Sequence, residues 1–138
     1  VVASREYIGD FLPSDLYRDA AIWLKNEATP GDLVFQTDWD NFPRLFYYNS
    51  EVHYLIGLDP TFLELYDPER FELWQEISKG RVVNSSTVIN AYFGAEYVFS
   101  DLHHGEFLTR AYSDPGLIEV YRDRYAVIFA VATEQQQR

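Results

Sequence analysis

Residues 33–38 read LVFQTD, an apolar run that ends in an aspartate, and the pattern recurs twice along the chain. Residues 52–57 (VHYLIG) lead to Asp59, and residues 97–100 (YVFS) lead to Asp101. If these runs are parallel strands, their carboxyl ends lie at one edge of one sheet, where open α/β sheets place their ligands. The sequence therefore predicts the position of a function, but it does not specify a reaction.

Helical patterns occupy the intervals between these strands. Ser14 and Asp67-Pro68 are predicted to begin helices, and Pro30-Gly31 and Gly80 are predicted to end them. Apolar residues at helical spacing place the helices between residues 14 and 29, 41 and 49, 67 and 79, 86 and 92, and 105 and 112.

The end of the chain is predicted to form a hairpin. Residues 117–121 are interrupted by Glu119 and suit an edge strand, whereas residues 125–131 are apolar throughout and suit a strand covered on both faces. A right-handed crossover from the third strand leaves a gap that the last strand fills. We therefore predict a three-layer, Rossmann-like α/β domain with strand order 2-1-3-5-4 and the last strand antiparallel. The predicted domain spans residues 14–132, with a lead-in from an upstream segment over 1–13 and a tail over 133–138.

Composition excludes several classes of function. The 138 residues carry a net charge of −11, which argues against nucleic acid and anionic lipid as partners. The chain has no cysteine, so disulfides, thiolate chemistry and cysteine-based zinc sites are excluded. It also has no methionine, which predicts a fragment or a processed chain. No apolar run approaches the ~18 residues that span a bilayer.

The acidic edge has two interpretations. Asp38, Asp40, Asp59 and Asp101, with His103 or His104, offer oxygen and nitrogen ligands for a divalent cation, or they bind sugar hydroxyls with Trp39 as a stacking face. Alternatively, each aspartate caps the helix or turn that follows its strand. A dinucleotide site is rejected, because no glycine lies between Asp32 and Gly57.

The two adjacent histidines do not share a helix face, so at most one is expected to face the crevice. No nucleophile elbow of the Gly-x-Ser-x-Gly type is present. The aromatic residues between Phe42 and Tyr48 are dense, and any that remain exposed would mark a docking surface. The candidate ligand-binding residues are Asp38, Trp39, Asp40, Asp59, Asp101 and His103.

Several blocks of the sequence resemble a known class of protein. They are residues 21–26 (AIWLKN), 31–35 (GDLVF), 39–49 (WDNFPRLFYYN), 54–62 (YLIGLDPTF) and 93–102 (FGAEYVFSDL). The chain is similar to the soluble C-terminal domain of large bacterial polytopic membrane proteins. Those proteins resemble the glycosyltransferases that use lipid-linked sugars, of the protein O-mannosyltransferase-like superfamily.

The resemblance implies a function without a catalytic residue on this chain. In that superfamily the catalytic acid lies in the first extracytoplasmic loops of the membrane portion, which has no counterpart here. The implied role is a non-catalytic accessory domain on the extracytoplasmic face of a bacterial membrane, tethered by upstream transmembrane segments. Its expected ligand is an acceptor, a glycan or a lipid-linked sugar, with no obligate cofactor. The alternatives are a free-standing module that binds a divalent metal or carbohydrate, and a small hydrolase with Asp and His as acid and base.

Overall fold

A five-stranded mixed sheet forms the middle layer of the molecule in the computed structural model, which describes residues 15–57 and 61–132. The strands are β1 (Leu33–Gln36), β2 (His53–Tyr54), β3 (Tyr97–Asp101), β4 (Leu117–Arg122) and β5 (Ala126–Val131). Their order is β2-β1-β3-β5-β4, which confirms the predicted order 2-1-3-5-4.

The pairing directions are also as predicted. β1 lies parallel to both β2 and β3, so these three strands end at one edge of the sheet. β5 lies antiparallel between β3 and β4, with Asp101 opposite Ala126. The start of β5 therefore reaches the edge at which β1 and β3 end. The apolar sequence of β5 fits this interior position, where both faces are covered.

Helices cover both faces of the sheet. They are α1 (Arg18–Glu27), a 3₁₀ helix (Trp39–Asn41), α2 (Phe42–Tyr48), α3 (Thr61–Tyr66), α4 (Pro68–Ser78), α5 (Ser85–Val88), a π-helical turn (Ile89–Phe93) and α6 (Gly105–Tyr112). Asp67 begins α4 as predicted, because its side chain accepts the Arg70 N–H at 3.2 Å. The bounds of α6 are those predicted from the sequence.

Side chains that alternate along the strands pack into two separate cores, one on each face of the sheet. On one face Phe35, Val98 and Phe129 pack against α4, the π-helical turn and α6. On the other face Val34 and Ile128 pack, with other residues, against α1 and α2. Burying each such side chain contributes roughly 1.5–3 kcal/mol, so the two cores together hold the three layers in place.

The second strand is shorter than predicted. Residues 52–57 were expected to form it, but only His53 and Tyr54 pair with β1. Beyond them the Gln36 side chain takes over the pairing, since its Nε2 donates to the Ile56 carbonyl and its Oε1 accepts the Ile56 N–H at 3.1 Å. A side-chain amide thus replaces one rung of the ladder at the strand end.

Three helix predictions differ from the structure. Helix α3 was not predicted, and a 3₁₀ turn precedes α2 because the Asp38 side chain accepts the Asp40 N–H. The helix expected over residues 86–92 is a short α-helix followed by a π-helical turn. The predicted cap Ser14, the lead-in and the tail lie outside the described residues.

Candidate functional site

The carboxyl ends of β1 and β3 meet as adjacent parallel strands. The Thr37 N–H donates to the Phe99 carbonyl at 3.1 Å, and the Thr37 hydroxyl donates to Ser100 Oγ at 3.1 Å. Ser100 Oγ in turn donates to the Asp101 carbonyl at 2.7 Å. These buried bonds fix the backbone just where Asp38 and Asp101 leave the sheet.

Asp101 is the buried centre of the site, with 5% of its surface exposed. Its Oδ1 accepts the His103 N–H at 2.8 Å and lies 3.0 Å from His104 Nδ1. Burial alone would raise the pKa of Asp101, but the hydrogen bond and charge of His104, with the His103 N–H and the Asn41 amide, lower it below its ordinary value. Asp101 therefore stays ionised.

His104 bridges the two strand ends. Its Nδ1 faces Asp101, and its Nε2 lies 3.7 Å from Asp38 Oδ2. The hydrogen bond to Asp101 raises the pKa of His104 against the opposing effect of burial, and the charges of Asp101, Asp38 and Asp40 add to the rise. Asp38, Asp101 and His104 each offer a ligand atom, and these atoms lie within 4.8 Å of one another, so the three residues are able to hold a metal ion.

A second carboxyl pair lies beside this cluster. Asp38 caps the 3₁₀ helix by accepting the Asp40 N–H at 3.4 Å. Although Asp40 is an exposed residue, partial burial of its carboxyl raises its pKa, and the charge and hydrogen bond of Asp38 raise it further. The Asp40 carboxyl therefore holds its proton more strongly than an isolated aspartate does.

An open cavity of about 490 Å³ covers the cluster. Its volume falls in the range of small-molecule sites, ~300–1,000 Å³. Carboxylate, imidazole, amide and guanidinium groups line it together with aromatic rings. The lining residues are Leu16, Tyr17, Asp38, Asp40, Asn41, Asp101, Leu102, His103, His104, Arg124 and Tyr125.

Four of the six predicted site residues lie at this cavity, namely Asp38, Asp40, Asp101 and His103. His103 is exposed and bonds Asp101 through its backbone, whereas the ring of His104, the other histidine that the sequence offered, contacts the carboxylates. Trp39 is 43% exposed and does not belong to the cavity lining.

The fourth predicted aspartate, Asp59, lies outside the described residues. Its expected position at the same edge as Asp101 therefore stays a prediction. The capping interpretation is confirmed for Asp38, which caps the 3₁₀ helix, and for Asp101, which closes the turn at His103. Capping and clustering occur together here, because both follow from aspartates placed directly after parallel strands.

Sequence reasoning missed Tyr17, Asn41, Arg124 and Tyr125. Tyr17 adopts a left-handed backbone conformation, with φ of 69°, and its ring packs edge-on against Phe99 at 5.0 Å between ring centroids. No sequence pattern indicates that conformation in a tyrosine. Arg124 and Tyr125 were predictable, because an antiparallel last strand must bring its hairpin turn to this edge.

Comparison with protein-family models, with curated proteins and with solved structures found no match to this chain. In the part of the chain that the structure describes, no helix combines the length and the hydropathy needed to cross a bilayer. Fold and site together define an α/β domain with a strand-end crevice of the kind that holds a ligand.

Proposed function

We propose that this chain is a non-catalytic, extracytoplasmic accessory domain of a membrane glycosyltransferase-like protein, and that it binds carbohydrate in the strand-end crevice. The tether, the location and the parent activity are supported by the sequence blocks that resemble such C-terminal domains. The binding role is supported by a single structural observation, the cavity of about 490 Å³ over the Asp38, Asp101 and His104 cluster.

The chemistry of the lining suits a neutral sugar. Sugar hydroxyl groups can donate hydrogen bonds to the carboxylates of Asp38, Asp40 and Asp101. The same hydroxyl groups can accept hydrogen bonds from the Arg124 guanidinium. Tyr125, 37% exposed, offers an aromatic face at the rim. The carboxylates repel phosphate, so the sugar ring or the acceptor, rather than the phosphate of a lipid-linked donor, is the group that fits.

The protonation states support binding rather than catalysis at Asp101. A general acid must carry a proton, but the pKa of Asp101 is lowered by its bonds to His104 and His103, and its Oδ1 is occupied by those two donors. The superfamily that the sequence resembles places its catalytic acid in membrane loops, which agrees with a supporting role for this domain.

One observation favours a second candidate function, acid–base hydrolysis. The pKa of Asp40 is raised while the pKa of Asp101 is lowered, and such separation is the pattern that enzymes use to assign an acid and a base. Asp40 is exposed, so water competes with a substrate for its proton. Hydrolysis is therefore placed second.

Calorimetric titration of the purified chain with methyl glycosides and short oligosaccharides tests the binding role. We expect binding without turnover, weakened roughly 2–10-fold in Asp40→Asn, because one neutral hydrogen bond contributes about 0.5–1.5 kcal/mol. Asp19→Asn is the matched control, since Asp19 lies exposed on α1 outside the cavity lining. No binding by any saccharide would contradict the proposal.

Assays of transfer and hydrolysis test the non-catalytic role. The chain alone is expected to be inactive towards lipid-linked sugar donors, model acceptors and glycosides, and activity is expected only when the upstream membrane segments of the full reading frame are included. Turnover by the chain alone that is lost in Asp40→Asn or Asp101→Asn would establish hydrolysis or transfer here and overturn the non-catalytic assignment.

A further inference from the structure

We propose that the crevice binds one divalent transition-metal ion of the Zn²⁺ or Mn²⁺ class between His104 Nε2 and Asp38 Oδ2, with Asp101 orienting the imidazole. The inference concerns the crevice of the proposed function but does not depend on carbohydrate binding, because the ion is measured by itself. It assigns a ligand that the fold alone does not require.

The distances fit an ion with little movement. His104 Nε2 and Asp38 Oδ2 are 3.7 Å apart, and two ligands at ~2.1 Å from a tetrahedral zinc ion stand roughly 3.4 Å apart. Asp101 Oδ1 lies 3.0 Å from the other ring nitrogen, Nδ1. A carboxylate that accepts Nδ1–H leaves the Nε2 lone pair free, which is the carboxylate–histidine–metal arrangement of many protein sites.

A second, independent observation points to a polar occupant. Asn41 is 2% exposed, and its side-chain amide lies beside the Asp101 carboxylate, which it contacts without a well-formed hydrogen bond from Nδ2 among the described residues. Asn41 also lines the cavity. A buried amide that is only weakly bonded can accept a further polar neighbour.

A metal ion is a polar occupant that suits this amide. The two ends of a side-chain amide exchange places by a rotation of the Cβ–Cγ bond, so Asn41 presents either Nδ2 as a donor or Oδ1 as an oxygen ligand. With Oδ1 turned towards the cluster, Asn41 supplies an oxygen ligand to the ion. With Nδ2 turned towards it, the amide donates to a water in the open crevice.

The ligand types select the class of ion. Calcium takes six to eight oxygen ligands, and magnesium usually retains several waters, so an imidazole nitrogen is a poor match for both ions. Zinc and manganese accept a mixture of imidazole nitrogen and carboxylate oxygen. The nearby Asp40 carboxyl adds negative charge to the same crevice and favours a cation further.

Calorimetry with Zn²⁺ and absorption spectroscopy with Co²⁺ test the site on the whole 138-residue chain, treated beforehand with a chelator. We expect one saturable ion per chain and Co²⁺ ligand-field bands that Zn²⁺ abolishes. Asp38→Asn and His104→Gln should each lower the affinity more than ~100-fold. Asp101→Asn should lower it ~10–100-fold, the usual effect of removing a partner of a metal-bound histidine.

Asp19→Asn is the matched control and should bind the ion unchanged, since Asp19 is exposed on α1. Circular dichroism of each variant shows that it is folded before titration. Absence of a saturable ion, or binding that survives in both Asp38→Asn and His104→Gln, would overturn the inference. Ion binding without saccharide binding would remove only the proposed carbohydrate role, and saccharide binding without an ion would remove only the metal site.

Discussion

Asp101 and His104 stabilise each other through opposite shifts of their pKa values. The pKa of His104 is raised above its ordinary 6.5. Between pH 6.5 and the raised pKa, the folded state therefore keeps a proton that the unfolded state has lost. Stability from this source is full below pH 6.5 and is lost as pH rises through the raised pKa. The pKa of Asp101 is lowered below 3.8, so its contribution is present above that pH and is lost on further acidification.

The first prediction is a pH-dependent loss of stability in His104→Gln. The variant removes a partly buried, charge-assisted hydrogen bond, so it should lower the free energy of unfolding by about 1–2 kcal/mol near pH 5.5. At an alkaline pH above the raised pKa of His104 the wild-type imidazole is neutral, and the difference should shrink, because only the hydrogen bond of the neutral Nδ1–H to Asp101 remains. Urea unfolding of both proteins at the two pH values measures this change.

His103→Gln serves as the control, because the His103 ring is exposed and only its backbone bonds Asp101. It should change stability little at either pH. An equal loss for His104→Gln at both pH values would show that the imidazole is not charged in the folded protein.

The sequence could place a histidine at the crevice but could not choose between the two neighbours. That choice depends on the turn after β3, where Asp101 accepts the His103 N–H. This turn rotates His104, three residues from Asp101, back over the carboxylate. A one-residue difference in turn geometry would reverse the choice, and nothing in the residue types encodes it.

At the scale of the elements, the end of α4 packs directly on the start of α6. A Cβ atom at Gly80 would lie 2.5 Å from the backbone carbon of Glu106, and Arg110 Nε donates to the Gly80 carbonyl at 3.0 Å. Gly80 also has a φ of 77°. This close approach fixes the position of the start of α6. His104, which directly precedes α6, is thereby held at the crevice.

The second prediction compares two glycine substitutions. Gly94→Ala, at φ of 69° with open space around the new methyl, should cost only the ~1–2 kcal/mol of a left-handed alanine. Gly80→Ala adds the backbone clash and should cost at least ~1 kcal/mol more. Thermal or urea unfolding of the two variants gives the comparison. Equal losses would mean that α4 and α6 are not held at this distance.

The bounds of a helix could be predicted where they depend only on local sequence signals, such as a capping aspartate or a glycine. Asp67-Pro68 and Gly80 placed α4, and Gly105 to Tyr112 was predicted in full. The length of β2 did not follow, because Gln36 reaches across to Ile56 and replaces strand pairing there. A long-range side-chain bond of that kind leaves no periodic trace in the sequence.

At the scale of the whole molecule, the sheet separates two cores that share no side chain among the residues that the structure describes. Ile77 packs in the core under α4 and α6, and Ile128 packs in the core under α1 and α2. Mutational effects on stability add when sites share no partner. Substitutions on the two faces of the sheet should therefore change the free energy of unfolding independently of each other.

The third prediction follows from that separation. Ile77→Val and Ile128→Val should each cost about 0.5–1.5 kcal/mol, and the double variant should cost their sum within ~0.5 kcal/mol. Urea unfolding of the three variants and the wild type completes the cycle. Ile128→Val with Leu24→Ala, both in one core, is the control pair in which coupling is expected.

The architecture was predictable from the sequence because its strands differ in hydropathy. The uninterrupted apolar run of β5 and the interrupted run of β4 indicated which strand lies inside. That assignment fixed the strand order, and the order brought β1, β3 and the hairpin turn to one edge. The contacts inside the crevice depend on the orientation of the Asn41 amide and on the left-handed backbone of Tyr17, which hydropathy does not determine.

An amide NMR titration tests whether the strand-end crevice is the binding face of this domain. The ¹⁵N-labelled chain is titrated with methyl mannoside and with short-chain polyprenyl-phosphate mannose. We expect shifts that saturate and cluster at residues 38–41, at residues 101–104 and at Arg124 and Tyr125. Shifts centred elsewhere, or none at saturating saccharide, would contradict it.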